Sequence, residues 1–408
     1  MIIKLAWKNI WRNKLRSSII ITSVTIGLVV GIFVVGFMNG WIEEKLQSVR
    51  DVEIPHLQIN ANKFLEQNDI ENNFSSSQLE KDILLNQNVK GVSGRIIINS
   101  MISSAHKVGG IEVYGIDPEK EKIVSKINEY ISDSMGNYFK DNIPNSIVIG
   151  KKIAEEYKIK LKSKLILSMI DTSGEQVSGA FRVCGIFQTK NPMFDESRVL
   201  VMAQDLRKLT SLPNGKVHEI GIKLINDDNN SLNDTKNRIK GLLGKDKTIR
   251  TWKEVSAVMG LYSDYINIEL IVIISIILTG LGFGIVNTIL MSVMERKREL
   301  SMLMAIGMNK KKVLQLIITE STILTSIGGF LGMLIGYIII IILNKTGLDV
   351  SSSMGSIGQY GFATLIHPSI NAFQFSIIAI MVILTGILSA IYPAKAAIKL
   401  NPAEGVRQ

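Results

Sequence analysis

The chain has 408 residues but only one cysteine, Cys184, with four histidines, eight prolines and 6% aromatic content. A lone cysteine cannot close an internal disulfide, so any folded domain must rest on its own apolar core. His56, His106, His218 and His367 show no i, i+4 pairing and no acidic residue at ligand spacing, which leaves metal binding unsupported. Satisfied or solvent-exposed rings are expected instead. No Gly-x-x-x-x-Gly-Lys-Ser/Thr phosphate loop occurs, and the nearest text, Gly241 to Lys245, is too short and follows a helical segment rather than a strand. A Gly-x-Ser-x-Gly nucleophile turn is missing as well. These absences argue against catalysis by the chain itself.

The most informative absence is charge. Four stretches, Ile19 to Met38, Leu270 to Met294, Ser321 to Asn344 and Ala372 to Tyr392, contain no Asp, Glu, Lys, Arg or His. As helices, each is long enough to cross a hydrocarbon core of about 30 Å. One stretch lies near the start, a polar block of more than two hundred residues follows, and three come close together. The expected fold is therefore α-helical and membrane-spanning, with four transmembrane helices arranged one plus three and a large α+β extracytoplasmic domain between helices 1 and 2. The divisions are 1–18 (basic N-terminus), 19–38 (span one), 39–267 (external domain with stalk helices), 268–294 (span two), 295–312 (loop), 313–344 (span three), 345–371 (external loop), 372–392 (span four) and 393–408 (tail).

Charge distribution sets the orientation, because basic residues near span ends are retained on the cytoplasmic side. Lys4, Lys8, Arg12, Lys14 and Arg16 precede span one. Arg296, Lys297, Arg298, Lys310, Lys311 and Lys312 fill the loop after span two, and Lys395, Lys399 and Arg407 fall in the tail. These segments hold 14 basic residues against the acids Glu295, Glu299 and Glu404, whereas residues 41–267 hold 31 basic and 30 acidic. Both termini are expected in the cytoplasm of a multi-pass inner-membrane protein. The formal charge of +10 is thus a topology signal rather than a nucleic-acid footprint, since the one sizeable soluble domain is nearly neutral. Span one is too long for a cleavable signal peptide and should stay as an anchor.

Within the polar block, Asn39 to Asp51 reads as span one continuing outward before Pro55 stops it. Val52 to Ile59 reads as a strand and Asn62 to Ser77 as a mobile loop. Arg95 to Ile102, Gly110 to Tyr114, Ser146 to Ile149, Arg198 to Met202 and Glu219 to Leu224 are further strands. Pro118 to Ser132 reads as one helix with Ile123, Ile127 and Ile131 on its buried stripe. Leu165 to Ile170 and Ala180 to Phe187 flank a hairpin turn at Asp171. Leu232 to Leu243 reads as a helix, and Trp252 to Asn267 as a helix leading into span two. Small residues four apart, Gly27 and Gly31, Gly280 and Gly284, and Gly328, Gly332 and Gly336, allow close helix approach, either within one bundle or between two copies. Glu269 and Glu320, at span ends, are the only candidates for a row of ionisable residues along an ion path; they read as interfacial groups rather than as a proton relay.

The loop from Met294 to Lys312 is the most distinctive text. Leu300, Leu303 and Met304 share a face of a short amphipathic helix that Gly307 can end in a left-handed cap. Such a helix can rest on lipid headgroups or fit a groove on a partner. On Glu295-Arg-Lys-Arg-Glu-Leu, Ala305-Ile-Gly307, Glu320, the glycines of span three and the ending Tyr392-Pro-Ala-Lys-Ala-Ala-Ile-Lys-Leu-Asn-Pro-Ala-Glu404, the sequence resembles the FtsX-like permease family. That family includes macrolide-exporter and lipoprotein-releasing permeases. Met38-Asn-Gly-Trp-Ile-Glu-Glu-Lys-Leu, Tyr114-Gly-Ile-Asp-Pro118 and Ile147-Val-Ile-Gly150 look like the lipoprotein-releasing branch, while the Glu-Arg-Lys-Arg-Glu text reads closer to the macrolide-exporter branch, whose ATPase is fused at the N-terminus.

The resemblance implies that Glu295, Arg296, Lys297, Arg298, Glu299, Leu300, Leu303, Met304, Ala305 and Gly307 form the helix that docks on an ATPase. It implies two copies of that ATPase carrying ATP and Mg, with no cofactor in this chain. It also implies a second permease, identical or homologous, and a lipoprotein cargo handed to a periplasmic chaperone. The turn between Asp171 and Gly179 is short where a chaperone-docking partner permease carries an extended hairpin, so the resemblance does not carry chaperone docking over to this chain. Val35, Phe37, Met38, Ile268 and Ile271 are candidate acyl-chain contacts, since a lipid is held mainly by apolar area. A permease-like protein that activates a periplasmic partner, or a macrolide or peptide efflux permease, are the alternatives.

Overall fold

The computed structural model of the protein describes residues 2–139, 143–350 and 365–398. Lys399, Glu404 and Arg407 of the tail, the end of the Tyr392–Glu404 motif beyond residue 398, and most of the loop after span three lie outside the described residues. The chain divides into two compact units, with borders at 42/43 and 263/264. One holds the spans; the other is the block Glu43–Ser263.

Among the described residues, four helices are long and apolar enough to cross a membrane: Lys14–Ser48, which runs on as a π-helical turn Val49–Glu53, Ala257–Glu295, Lys310–Thr346 and Ala372–Ile398. Lipid tails are as apolar as leucine, so such helices need close packing and polar ties to hold together. The glycine ridge of span three supplies the packing. Gly328, Gly332 and Gly336 receive Val24, Leu28 and Ile32 of span one, all three fully buried. A β-carbon on Gly332 would come within 2.8 Å of Leu28 Cβ. Thr25 Oγ1 donates to the Gly328 carbonyl at 3.2 Å across the same contact. Gly27 and Gly31 of span one lie against Leu281 and Ile274 of span two, and Gly386 of span four lies against Thr325. A β-carbon on Gly280 or Gly284 would meet nothing within 4 Å among the described residues. Five of the seven glycines named from the sequence thus pack this one bundle, and two present an open face.

Polar side chains tie the bundle near the ends of the spans. Gln374 donates to Asn39 Oδ1 at 3.0 Å and to Asn267 Oδ1 at 3.3 Å, joining spans four, one and two. Asn344 of span three donates to the Pro368 carbonyl at 3.1 Å.

The second unit contains β1 (Leu57–Ala61), β2 (Phe74–Ser75), β3 (Val89–Ser103), β4 (Val108–Ile116), β5 (Ser146–Gly150), β6 (Lys164–Ile170), β7 (Gln176–Phe187), β8 (Arg198–Met202), β9 (Lys216–Val217), β10 (Glu219–Leu224) and β11 (Lys247–Thr251). The main sheet runs β11-β1-β10-β3-β4-β8-β5-β7-β6, and β6 also pairs with β3. Six strands therefore close into a barrel, while β10, β1 and β11 extend from the first half of β3. Alternation makes this possible: along β6, Leu165, Leu167 and Met169 are buried while Lys164, Ile166 and Ile170 face out. Ile98, Val113, Ile149, Leu167, Phe181 and Val199 belong to one core. A second core, with Phe187, Phe194, Leu200 and Met202, takes in Val52 of the π turn. Ion pairs Glu44–Lys190, Asp51–Lys126 and Asp51–Lys223, at 3.1, 2.8 and 2.7 Å, fix the end of the stalk to the rest of the second unit.

The expected mixed α+β domain is present, with local differences. Residues 62–77 are not loop throughout: Asn62–Glu66 is helical and β2 pairs with β9, while 67–73 between them forms neither helix nor strand. The run from Val52 begins in the π turn, so the strand starts only at Leu57. The helix from Pro118 ends at Val124 and a 3-10 turn follows at Ile127–Tyr130. The stripe is accordingly broken, with Ile127 buried and Ile123 47% exposed. The Asp171 turn is short as read, with Ile170 paired to Gln176.

Replacing Gly332 with valine should overpack the contact between spans one and three and lower stability by about 1–3 kcal/mol, whereas the same change at the open Gly284 should cost far less. Thermal unfolding of the two variants in one detergent compares them directly.

A pH effect follows from two histidines. His218 accepts from the Ile97 N–H through Nδ1 at 3.1 Å and contacts the Ile70 carbonyl through Nε2 at 2.9 Å; burial lowers its pKa from the usual 6.5. Burial first, and then the charge of Lys223, lowers His56 to about 4. Their contribution is present above pH 6.5 and is lost as the unfolded chain takes up protons below that value. Asp195, raised to about 6 mainly by burial, acts in the opposite direction. With two groups against one, the unfolding midpoint of the full chain should fall between pH 7 and pH 4.5; a flat or rising profile contradicts this.

Candidate functional site

The loop after span two folds as the sequence suggests. Lys297–Ala305 is helical, and Gly307 at φ +103 closes it. The Met308 N–H bonds the Leu303 carbonyl at 3.0 Å and the Gly307 N–H the Met304 carbonyl at 3.1 Å, which is the paired bonding of a glycine-terminated helix. Asn309 then caps the next helix, its side chain accepting from the Lys311 N–H at 3.1 Å.

What anchors this loop is a chain of charges. Arg16 Nη2 donates to Glu320 Oε1 at 2.7 Å, and Arg296 Nη1 reaches the same carboxylate at 3.2 Å. Arg296 Nε also bonds Glu299 at 3.0 Å, and Glu299 accepts from Arg12. The sequence Arg16, Glu320, Arg296, Glu299, Arg12 therefore links the start of span one, span three and the loop helix. Exposure grades along it: the Arg16 and Glu320 side chains are 10% and 9% exposed, and that of Arg12 is 64%. Arg16 leaves Nε and Nη1 with no acceptor among the described residues, so Glu320 is its main electrostatic compensation. Leu300 packs beside this cluster with Ile289, Val293, Leu316 and Ile317 around a cavity of about 20 Å³.

Of the residues singled out on the loop, Arg296, Glu299 and Leu300 turn inward to this cluster. Leu300 is 2% exposed and so faces the chain's own interior rather than a partner. Leu303 and Met304 are half-buried, whereas Glu295, Arg298, Ala305 and Gly307 are exposed and Lys297 partly so. The exposed apolar residues here are Met302 and Ile306, neither of which stood out in the sequence. Glu320 corrects a second expectation: it is a buried bridging carboxylate and not an interfacial one, because two arginines converge on it. Two lone charges, Arg16 and Glu320, at the borders of uncharged runs were the available signal. Among the acyl-contact candidates, Val35 is 2% exposed and points into the bundle, Phe37, Met38 and Ile271 are half-buried, and Ile268 faces out. No cluster of metal-ligating side chains is present among the described residues.

The family model described as FtsX-like permease C-terminal matches residues 271–402, and that described as MacB-like periplasmic core domain matches residues 19–242. The chain belongs to the FtsX-like, MacB-type family of ABC transporter permeases. This permease is 22% identical over 380 residues to the lipoprotein-releasing system transmembrane protein LolE of Haemophilus influenzae, covering 90% of the chain and 88% of that protein. It is 22% identical to the corresponding LolC of Neisseria meningitidis over 76% of the chain and 75% of the relative. To the macrolide export ATP-binding/permease protein MacB of Rhodopirellula baltica it is 32% identical over 38% of the chain, spanning 20% of that longer protein.

Glu320→Gln leaves two buried guanidinium groups facing each other and should destabilise this permease by about 3–5 kcal/mol. Arg298→Gln, at an exposed position, should stay within about 0.5 kcal/mol of wild type. Equal unfolding midpoints for the two variants would remove the structural role given to Glu320.

Proposed function

We propose that this permease works in the bacterial inner membrane with both termini in the cytoplasm, and that it converts ATP hydrolysis by two separate ATPase subunits into movement of its extracytoplasmic domain. ATP and Mg belong to those subunits. A second permease, identical or homologous, completes the pore side of the assembly, and the open glycine face of span two at Gly280 and Gly284 is the surface offered to it. The carrying observation is the ion chain from Arg12 to Arg16, since it ties the loop helix to spans one and three as well as to span two. A push on the exposed face of that helix, Met302 and Ile306, then reaches three spans at once. Span one runs without a break into the stalk that the ion pairs of Glu44 and Asp51 hold on the rest of the second unit.

The proposed cargo is a lipoprotein drawn from the outer leaflet. Supporting this reading, the alignments with the two lipoprotein-releasing relatives run over most of both chains, whereas the stronger local identity to the macrolide exporter spans a fifth of that protein. An apolar cleft of about 440 Å³ between spans two and four, lined by Leu278, Phe283, Val286, Leu384 and Leu388, offers acyl chains a surface. With its short turn, the barrel hairpin leaves chaperone docking to the second permease.

Ile306→Asp should leave the fold intact, since the residue is 78% exposed, and should uncouple ATP hydrolysis from cargo release by placing a charge in the docking face. Release and hydrolysis are measured in parallel on the complex reconstituted in nanodiscs. Wild-type release would sink the coupling role of this face. Stimulation of hydrolysis by a macrolide, with no lipoprotein recovered from the complex by mass spectrometry, would sink the cargo assignment.

A further inference from the structure

A polar cleft of about 610 Å³ lies within the second unit, with Arg50, Asp51, His56, Lys90, Lys223 and Asp227 among its lining residues. Its carboxylates are already paired. Glu43 and Asp227 bind Arg50 at 2.8 and 3.2 Å, and Asp51 binds Lys223 and Lys126 at 2.7 and 2.8 Å. Four cations face three carboxylates, and Lys90 has no ion pair among the described residues.

His56 supplies the second unmet demand. It is 3% exposed, and its Nδ1 accepts from the Leu224 N–H at 3.3 Å, so the proton of the neutral ring sits on Nε2. That N–H has no hydrogen-bond partner among the described residues, a carboxylate oxygen of Asp227 being 3.7 Å away. A buried donor without an acceptor is costly, and a ligand oxygen would relieve that cost. The residual capacity of the cleft is therefore one ammonium and one directed N–H, both asking for an oxyanion. Leu224 and the 68% exposed Ile225 add an apolar wall for the carbon part of such a molecule.

We propose that this cleft binds the phosphate group of a phosphate ester, with Lys90 and His56 Nε2 as its direct donors and Lys223 and Arg50 as flanking charge. Charge-assisted hydrogen bonds from several separate donors suit the oxygens of one phosphate. Glu43 and Gln47 follow Met38, the last residue of the uncharged run, by only five and nine residues on one unbroken helix. A lipid headgroup phosphate and a soluble phosphate ester are thus both within reach of the chain at this point.

The full chain in phosphate-free detergent micelles is titrated with inorganic phosphate and with glycerol 1-phosphate by calorimetry. The same chain in phosphatidylcholine nanodiscs, with and without phosphatidylglycerol, is followed by phosphorus NMR. Saturable binding at one site per chain is expected, weakened about tenfold or more by Lys90→Glu and by His56→Asn and unchanged by Lys208→Glu, which lies outside the cleft. Because Lys90 is exposed and makes no ion pair, its variant tests the site without risk to the fold. A response to phosphatidylglycerol alone assigns a headgroup, and a response to the soluble probes assigns a soluble ester. Failure of every probe to saturate below about 10 mM, or equal binding by wild type and Lys90→Glu, overturns the proposal.

Discussion

One buried carboxylate holds together the end of the molecule where the chain's basic segments converge. Glu320 sits between Arg16 and Arg296, and without it two guanidinium groups would face each other in a low-dielectric interior. In lipid the hydrophobic effect does not draw helices to one another, so this electrostatic tie and the glycine contacts of span three do the work that a core does in water. The glycines bring spans one and three close enough for Thr25 to reach a backbone carbonyl, and the arginines then fix which way the loop helix leaves the bundle. Gln374, Asn39 and Asn267 make a comparable tie elsewhere along the spans.

The second unit solves a different problem, since it folds in water and carries its own cores. Closure of β3 onto β6 removes two sheet edges and gives the barrel interior its apolar lining. The long β3 strand serves both halves of the sheet, pairing with β10 through its first residues and with β4 and β6 through its last. Arg95, near the middle of that strand, is held by Glu121 at 3.1 Å and Glu219 at 2.8 Å, another buried cation whose charge is matched by carboxylates from distant segments. Stalk and barrel meet through a π-helical turn, a form of helix that often marks positions under functional constraint.

Much of this was legible from local text. The uncharged runs announced the four long helices, and short apolar, strand-like runs announced β6, β8 and β10 to within a residue. Gly307 was readable as a helix end because a glycine at that point can take a positive φ without strain. Less legible was the helix from Pro118, where the spacing of Ile123, Ile127 and Ile131 matched a helical period although the backbone breaks at Ser125. Within 62–77, polar enough to read as a loop, Phe74 and Ser75 pair with Val217 and Lys216 of β9, a strand far along the chain.

Sequence alone determined the membrane character, the one-plus-three arrangement and the family, because these depend on run lengths and short motifs that are local properties of the chain. Only the tertiary structure decided that Glu320 is buried, that Leu300 and Val35 face inward, that five glycines pack within the bundle while Gly280 and Gly284 stay open among the described residues, and that the buried Nε2 of His56, a residue lining a cleft, lacks a hydrogen-bond partner among them. The physical reason is the same in each case. Burial and pairing are set by residues some tens to hundreds of positions away, and a side chain's own neighbours in sequence carry no record of them.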